Sequence, residues 1–284
     1  MAYFDFEGKS IYYELHGEGR PLLLLNGIMM SCGSWAEFVE PLSAQNQLIL
    51  LDMLDQGRSA KMTEAYDHGI QIRLVDALLD HLGLEKVCVA GISYGSEVGL
   101  EYAIEHPERV ERLMLFNATA ATGAWLNDVG KAWNLAANDG ESYYYTSIPV
   151  IYSPSFFIEH TDWMERRKEL LVPIFNNPDF IQAMIRLTNS SSNYDVRDRL
   201  DRVACPVLIV SCQQDYLTPI EEQQYLARNI KDSHYLVIQN SGHASMYEQP
   251  LLFTSLILGF ANTVKDKFNI CLLYTSPSPR DRSV

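Results

Sequence analysis

The chain has 284 residues, 47% hydrophobic and 20% charged, with 36 Asp and Glu against 22 Lys and Arg. That is a globular composition with enough chain for a sizeable core in one or two domains. A formal charge of −14 and a pI near 4.9 exclude the basic face that a nucleic acid or an anionic membrane surface requires. No apolar run reaches the roughly 18 residues of a membrane span; the longest, Pro21–Leu25, has strand length.

The N-terminus, Met1 to Glu7, lacks the basic and apolar regions of a signal peptide. Tyr3–Phe6 and Ser10–Leu15 alternate and predict an antiparallel hairpin. Leu22–Leu25 and Gln47–Asp52 read as the first buried strands, with Ser34 capping a short helix that carries Trp35, Phe38, Val39 and Leu42. Leu74, Val75, Leu78, Leu79 and Leu82 recur at helical spacing and predict a helix over 68–82, stopped by Gly83. Strand Lys86–Ala90, helix 94–106 and strand Arg112–Asn117 follow. After residue 200 come strand Pro206–Cys212, helix Pro219–Ile230, strand Tyr235–Gln239 and helix Leu251–Val264. Short apolar strands alternating with amphipathic helices predict an α/β fold with a mostly parallel sheet covered on both faces.

The interval 118–200 differs. It is rich in aromatics (Trp125, Trp133 and Tyr143 to Tyr145 among them) and predicts helices and loops without strands. About 80 residues between two sheet strands is too long for a plain loop. The expected organisation is therefore a core over 1–117 and 201–266, interrupted by a helical lid over 118–200. The last fourteen residues, Cys271 to Val284, change character abruptly, with Pro277 and Pro279 among serines. This string resembles the translation of a transposase-type sequencing adapter and is expected to be foreign to the protein. Cys32, Cys88, Cys205 and Cys212 lack metal-ligand spacing and read as reduced, buried thiols of a cytoplasmic protein.

The chemistry is concentrated in Val87-Cys88-Val89-Ala90-Gly91-Ile92-Ser93-Tyr94-Gly95. A buried strand runs into a Gly-x-Ser-x-Gly turn that opens a helix. Such a tight corner lifts Ser93 out of the sheet, leaves no room for side chains at Gly91 and Gly95, and sets the hydroxyl at the positive end of a helix. A serine nucleophile needs a base. His16, His68, His81, His106 and His160 read as surface or capping residues, and His234 begins a strand. His243 instead lies in a loop beyond the last strand, where ligands meet such sheets. Asp215, four residues after Ser211, falls on the same edge and in the chain order Ser, Asp, His that this architecture uses. Its alternative role is capping ahead of Pro219. An oxyanion hole needs backbone N–H donors, expected from Tyr94 and from Ile28, beside Gly27.

With these segments in place the chain resembles the α/β-hydrolase superfamily over about residues 8–262. The resemblance rests on Gly91 to Gly95, on Asp215 ahead of Thr218-Pro219, and on Gly242-His243 followed by Glu248-Gln249-Pro250. Asp52 through Gly57-Arg58-Ser59 also looks like a family loop. It implies an eight-stranded, mostly parallel sheet and most resembles small carboxylesterases, enol-lactone hydrolases and related thioesterases, which use no cofactor. A small-molecule acyl substrate is implied, with no nucleic acid, no metal and no membrane span; oligomeric state is not read from these patterns. Some relatives place the acid at the position of Asn117, which cannot carry the charge.

Three positions depart from the family pattern. Asn26-Gly27 stands for the usual His-Gly, Asp55-Gln56 for Gly-His, and Glu97 where relatives mostly carry a small or apolar side chain. Glu97 either contacts substrate or water, or is buried against an arginine or solvated. The expected reaction is acyl transfer from an ester, lactone or thioester to water. The alternatives are a lyase or acyltransferase on the same three residues, or a non-catalytic ligand-binding module. Serine at the nucleophile position disfavours dehalogenase and epoxide-hydrolase chemistry, which needs a carboxylate there.

Overall fold

A computed structural model describes residues 2–263; the expectation of a foreign tail at 271–284 falls outside them. Strands β1 (Ala2–Phe6) and β2 (Lys9–His16) form the expected hairpin. Its two-residue turn, Glu7-Gly8, has φ of 52° and 77°, the paired positive angles whose twist matches that of the strands. Then come β3 (Arg20–Leu25), a 3₁₀ turn at Cys32–Phe38, α1 (Val39–Ser43) and β4 (Asn46–Leu51). Ser31, and not Ser34, caps that turn; the Ser34 hydroxyl returns the bond from the Ser31 N–H at 3.1 Å.

The chain continues through α2 (Gly69–His81), β5 (Val87–Ile92), α3 (Tyr94–Glu105) and β6 (Val110–Phe116). Five helices follow: α4 (Ala124–Ala136), α5 (Gly140–Ser147), α6 (Pro154–Glu159), α7 (Thr161–Phe175) and α8 (Pro178–Ser190). The core resumes with β7 (Val207–Cys212), α9 (Ile220–Asn229), β8 (Ser233–Ile238), α10 (Ser245–Glu248) and α11 (Pro250–Ala261).

The eight strands form one sheet in the order β1-β2-β4-β3-β5-β6-β7-β8. The β1–β2 and β2–β4 pairs are antiparallel; every later pair is parallel. Both faces are covered, as the near-continuous apolar runs of the central strands require. Leu113 of β6 lies under α3, where it meets Gly99 beside Val89 and Leu25. Phe116, of opposite parity, points to the other face and packs on Phe253 of α11, with ring centroids 4.5 Å apart. Trp35 and Phe38 complete that cluster. Cys32, Cys88, Cys205 and Cys212 are free and buried. Burial pushes the thiols of Cys88, Cys205 and Cys212 up to about 12, so they stay neutral.

The interval 118–200 is helical as expected, apart from a single bridge between Ala121 and Asp195. Part of its aromatic content packs on itself: Tyr143 meets Phe175 edge-on at 5.1 Å, and Phe175 stacks on Phe180 at 5.5 Å. The segment is tied to the core by an ion pair. Arg186 of α8 grips Asp55 in two parallel bonds, Nε to Oδ2 at 2.9 Å and Nη2 to Oδ1 at 2.7 Å. The Asp55 side chain is completely buried. Truncating Arg186 leaves that charge unpaired, so Arg186→Ala is expected to lower unfolding free energy by about 3–5 kcal/mol. Urea denaturation of wild type and variant measures it, and Asp55→Asn in the Arg186→Ala background should recover part of the loss.

Candidate active site

The order of strands reverses between β3 and β5, and the loops leaving their carboxyl ends converge there, where open parallel sheets bind ligands. Leu25 is in register with Gly91, so the 26–30 loop and the β5–α3 corner are adjacent by construction. Ser93 occupies that corner with φ 53° and ψ −123°, a strained conformation for a residue with a side chain. The surroundings hold it there. Its N–H donates to the Phe116 carbonyl at 2.9 Å, and its carbonyl accepts from Ser96 N at 2.8 Å and Glu97 N at 3.2 Å. The two flanking glycines are required by contact. A Cβ at Gly91 would overlap the Gly95 carbonyl, and one at Gly95 would overlap the carbonyls of Leu25 and Asn26.

Asp215 and His243 are brought together from the ends of β7 and β8. His243 Nδ1 lies 2.7 Å from Asp215 Oδ2, and both side chains are buried. Asp215 also accepts from Leu217 N at 2.8 Å and Thr218 N at 3.0 Å through Oδ1, and from Thr218 Oγ1 at 2.8 Å through Oδ2. The two readings of Asp215 are therefore not exclusive: one oxygen organises the turn ahead of Pro219 while the other holds the imidazole. A carboxylate so fully bonded favours the Nδ1–H tautomer and leaves Nε2 as the acceptor.

Three residues with no site role in the sequence reading, Thr218, Asn117 and Glu248, hold this arrangement. Thr218 Oγ1 donates to Asp215 and lies 3.1 Å from the Asn117 carbonyl. Asn117, at φ 54°, donates from Nδ2 to the His243 carbonyl at 2.6 Å. Glu248 accepts from Gly242 N at 3.1 Å, from Ser153 N at 2.9 Å and from Ser153 Oγ at 2.6 Å. Asp215 and Thr218 three residues apart is a turn signal visible in sequence. The Glu248 bond to Gly242 lies within the Gly242-His243 to Pro250 motif, whereas the Asn117–His243 and Ser153–Glu248 contacts join residues 126 and 95 positions apart, and no local pattern announces them.

A cavity of about 1040 Å³ lies between the core and the helical segment, lined by Ser93, His243, Ile28, Tyr94, Glu97 and Trp163 among others. The sequence-derived residues Ser93, His243, Ile28 and Tyr94 thus share one wall system, with Asp215 behind His243. The backbone N–H groups of Ile28 and Tyr94 have no hydrogen-bond partner among the described residues.

The departures each have a structural account. Asn26 is buried, donating to the Leu51 carbonyl at 2.8 Å and accepting from Trp35 Nε1 at 2.7 Å. Gln56 donates to the Gly27 carbonyl at 2.9 Å and so fixes the same loop. Asp55 is the partner of Arg186. Glu97 is buried, accepting from Thr119 Oγ1 at 3.0 Å, with no arginine bonded to it among the described residues. His68, read as surface or capping, is instead buried and sits 3.0 Å from Glu101 Oε2 through Nδ1; the sequence pattern missed it because its partner lies on another helix.

Comparison with known proteins identifies the fold family. Residues 20–250 match the family model described as the alpha/beta hydrolase fold. RutD of Azorhizobium caulinodans, to which carbamate hydrolysis is ascribed, is 29% identical over 267 residues, covering 93% of this chain and 99% of that protein. The crystal structure of MGS-M2, an alpha/beta hydrolase enzyme from a Medee basin deep-sea metagenome library, superposes with a TM-score of 0.93 at 44% identity. It covers 95% of this chain and 100% of that one. Est816, described as an N-acyl homoserine lactone degrading enzyme, superposes with a TM-score of 0.79 at 25% identity, over 91% and 100% of the two chains. The matched family model, spanning most of the sheet and every loop of the candidate site, shows that this chain belongs to the α/β-hydrolase fold family of hydrolytic enzymes.

Proposed function

We propose that the chain is a serine hydrolase that cleaves a small-molecule carboxylic ester, lactone or thioester through an acyl-enzyme on Ser93. The observation that carries this reading is the pairing of two independent features at one cavity: a strained serine at a helix start, and an imidazole held by a buried carboxylate at 2.7 Å. Helix 118–200 elements form the lid over that cavity in this reading, with its apolar lining receiving the acyl group. Carbamate and lactone carbonyls, ascribed to RutD and Est816, are electrophiles of the same kind.

The steps follow from the tautomer that Asp215 imposes. His243 Nε2 takes the Ser93 proton as Oγ attacks the carbonyl carbon, and the carbonyl oxygen becomes an oxyanion. The unpartnered N–H groups of Ile28 and Tyr94 are the donors that stabilise it, reinforced by the N-terminal end of α3. Collapse expels the alcohol or thiol, which takes the proton from His243. Water then enters, gives its proton to Nε2, and attacks the acyl carbon to release the acid and restore Ser93.

Labelling with a fluorophosphonate probe tests the nucleophile without a substrate guess. Wild type should label, and Ser93→Ala and His243→Ala should not, while both remain folded by circular dichroism; labelling of folded Ser93→Ala at the wild-type rate would refute the assignment. Asp215→Asn presents an N–H to His243 Nδ1 and favours the wrong tautomer. Turnover of p-nitrophenyl acetate by that variant should fall by roughly 10⁴-fold, read as kcat with the folded fraction held equal.

A further inference from the structure

Helix α3 begins at Ser93 and carries Glu97, Glu101 and Glu105 at successive one-turn steps along one side. Their environments are not alike. Glu101 is fully engaged, with His68 Nδ1 at 3.0 Å from Oε2 and Arg199 Nη2 donating to Oε1 at 2.7 Å. Arg199 also reaches Glu105 at 3.5 Å. Glu97, the member next to Ser93, has only the Thr119 hydroxyl, which donates to Oε1 at 3.0 Å. Its Oε2 has no hydrogen-bond partner among the described residues, and the residue lines the cavity.

A buried carboxyl with one bond costs stability that an apolar side chain would not. No second hydrogen bond offsets that cost among the described residues. The groups facing Glu97 are His68 from the start of α2, His243 from the loop after β8, Glu101 on its own helix, and the buried phenols of Tyr94 and Tyr194. His68 Nε2 is itself buried without a partner. Burial pushes the Glu97 carboxyl up to about 7, with Glu101 reinforcing it and the charges of His68 and His243 and the Thr119 bond opposing it. Expulsion of water by a bound substrate favours the neutral acid further. Because Thr119 donates to Oε1, the proton of that acid belongs on Oε2, the atom left for the cavity.

We propose that Glu97 is a specificity residue that donates a hydrogen bond from Oε2 to a second oxygen of the substrate, an ether or carbonyl oxygen lying beyond the scissile carbonyl. The preferred substrates are then oxygen-bearing acyl compounds such as alkoxy- or oxo-esters and lactones. This rests on the Ser93 acyl-enzyme reading and narrows its substrate class. The donor exists only in the neutral acid, so the preference is present at low pH and is lost as pH rises through about 7.

The test compares kcat/KM for p-nitrophenyl methoxyacetate and p-nitrophenyl butyrate, which differ by one oxygen for one methylene. The ratio is normalised to that for hydroxide hydrolysis and followed from pH 6 to pH 8. Wild type should favour the ether by about fivefold at the acidic end, with the preference fading across the range. Glu97→Gln, whose amide still donates, should keep the preference at every pH, and Glu97→Leu should abolish it. A wild-type ratio that does not move with pH, or one that Glu97→Leu leaves unchanged, overturns the proposal; should Glu97→Leu not fold, the pH-flat ratio of Glu97→Gln against the sloping wild type decides it. Protein that labels on Ser93 but shows a flat ratio refutes Glu97 alone, whereas protein that neither labels nor turns over either ester refutes the Ser93 reading and this one together.

Discussion

The architecture of the site depends on one close approach, the first turn of α3 against the ends of β3 and β5. Gly95 lies on the carbonyls of Leu25 and Asn26, and Gly91 lies on that of Gly95. Ser96 pins the corner from within, its hydroxyl bonded to the Gly91 carbonyl at 2.6 Å and placed 2.9 Å from that of Phe116. A side chain at either glycine would push the helix outward. That outward shift would carry Tyr94 away from the 26–30 loop, so the spacing of the two free N–H groups is set by backbone packing. Strain at Ser93 is held by the same contacts, since its own N–H and carbonyl are both committed.

Most of this frame could be read from residues in order. Continuous apolar runs such as Leu22–Leu25 and Val207–Cys212 mark strands buried on both faces, and Gly91-x-Ser93-x-Gly95 between a strand and a helix marks the corner. The pairing of Asp215 with His243 was legible because each lies in a short loop just past a strand, Asp215 the one carboxylate in 213–219 and His243 the one imidazole in 239–245. What escaped was whatever depends on distant partners. The pairing of His68 with Glu101 joins α2 to α3, and Asp55 with Arg186 joins a core loop to α8. Neither residue type at its own position carries information about a partner 33 or 131 residues away. Ser34 ahead of Trp35 reads as a cap, but the backbone turns three residues earlier, and the reciprocal Ser31–Ser34 box uses Ser34 at its inner end.

Buried charge is distributed economically. Asp52 accepts from Cys32 N at 2.6 Å and Arg58 N at 2.8 Å, and so fastens two loops at once. Asp55 is neutralised by a guanidinium, Asp215 by backbone donors, a hydroxyl and an imidazole, and Glu101 by His68 and Arg199 together. These full coordination shells explain how a strongly acidic chain keeps carboxylates in its interior, because each ion gains directed donors that partly replace its water. They also make Glu97 conspicuous, since the Thr119 hydroxyl is the one hydrogen-bond donor to its carboxyl among the described residues.

Glu248 joins the loop carrying His243 to the segment between α5 and α6 through Gly242 and Ser153. Gly242 packs so closely on Ser153 and Tyr152 that a side chain there has no space. The polypeptide at 152–153 is thereby an anchor shared by both halves of the cavity wall. Displacing that point would pull on the loop that holds His243 beside Asp215, and the Arg186–Asp55 pair ties the helical segment to the core a second time. The wall of the cavity beside Ser153 is thus braced from both sides of the chain, by Glu248 from the His243 loop and by the close packing of Gly242.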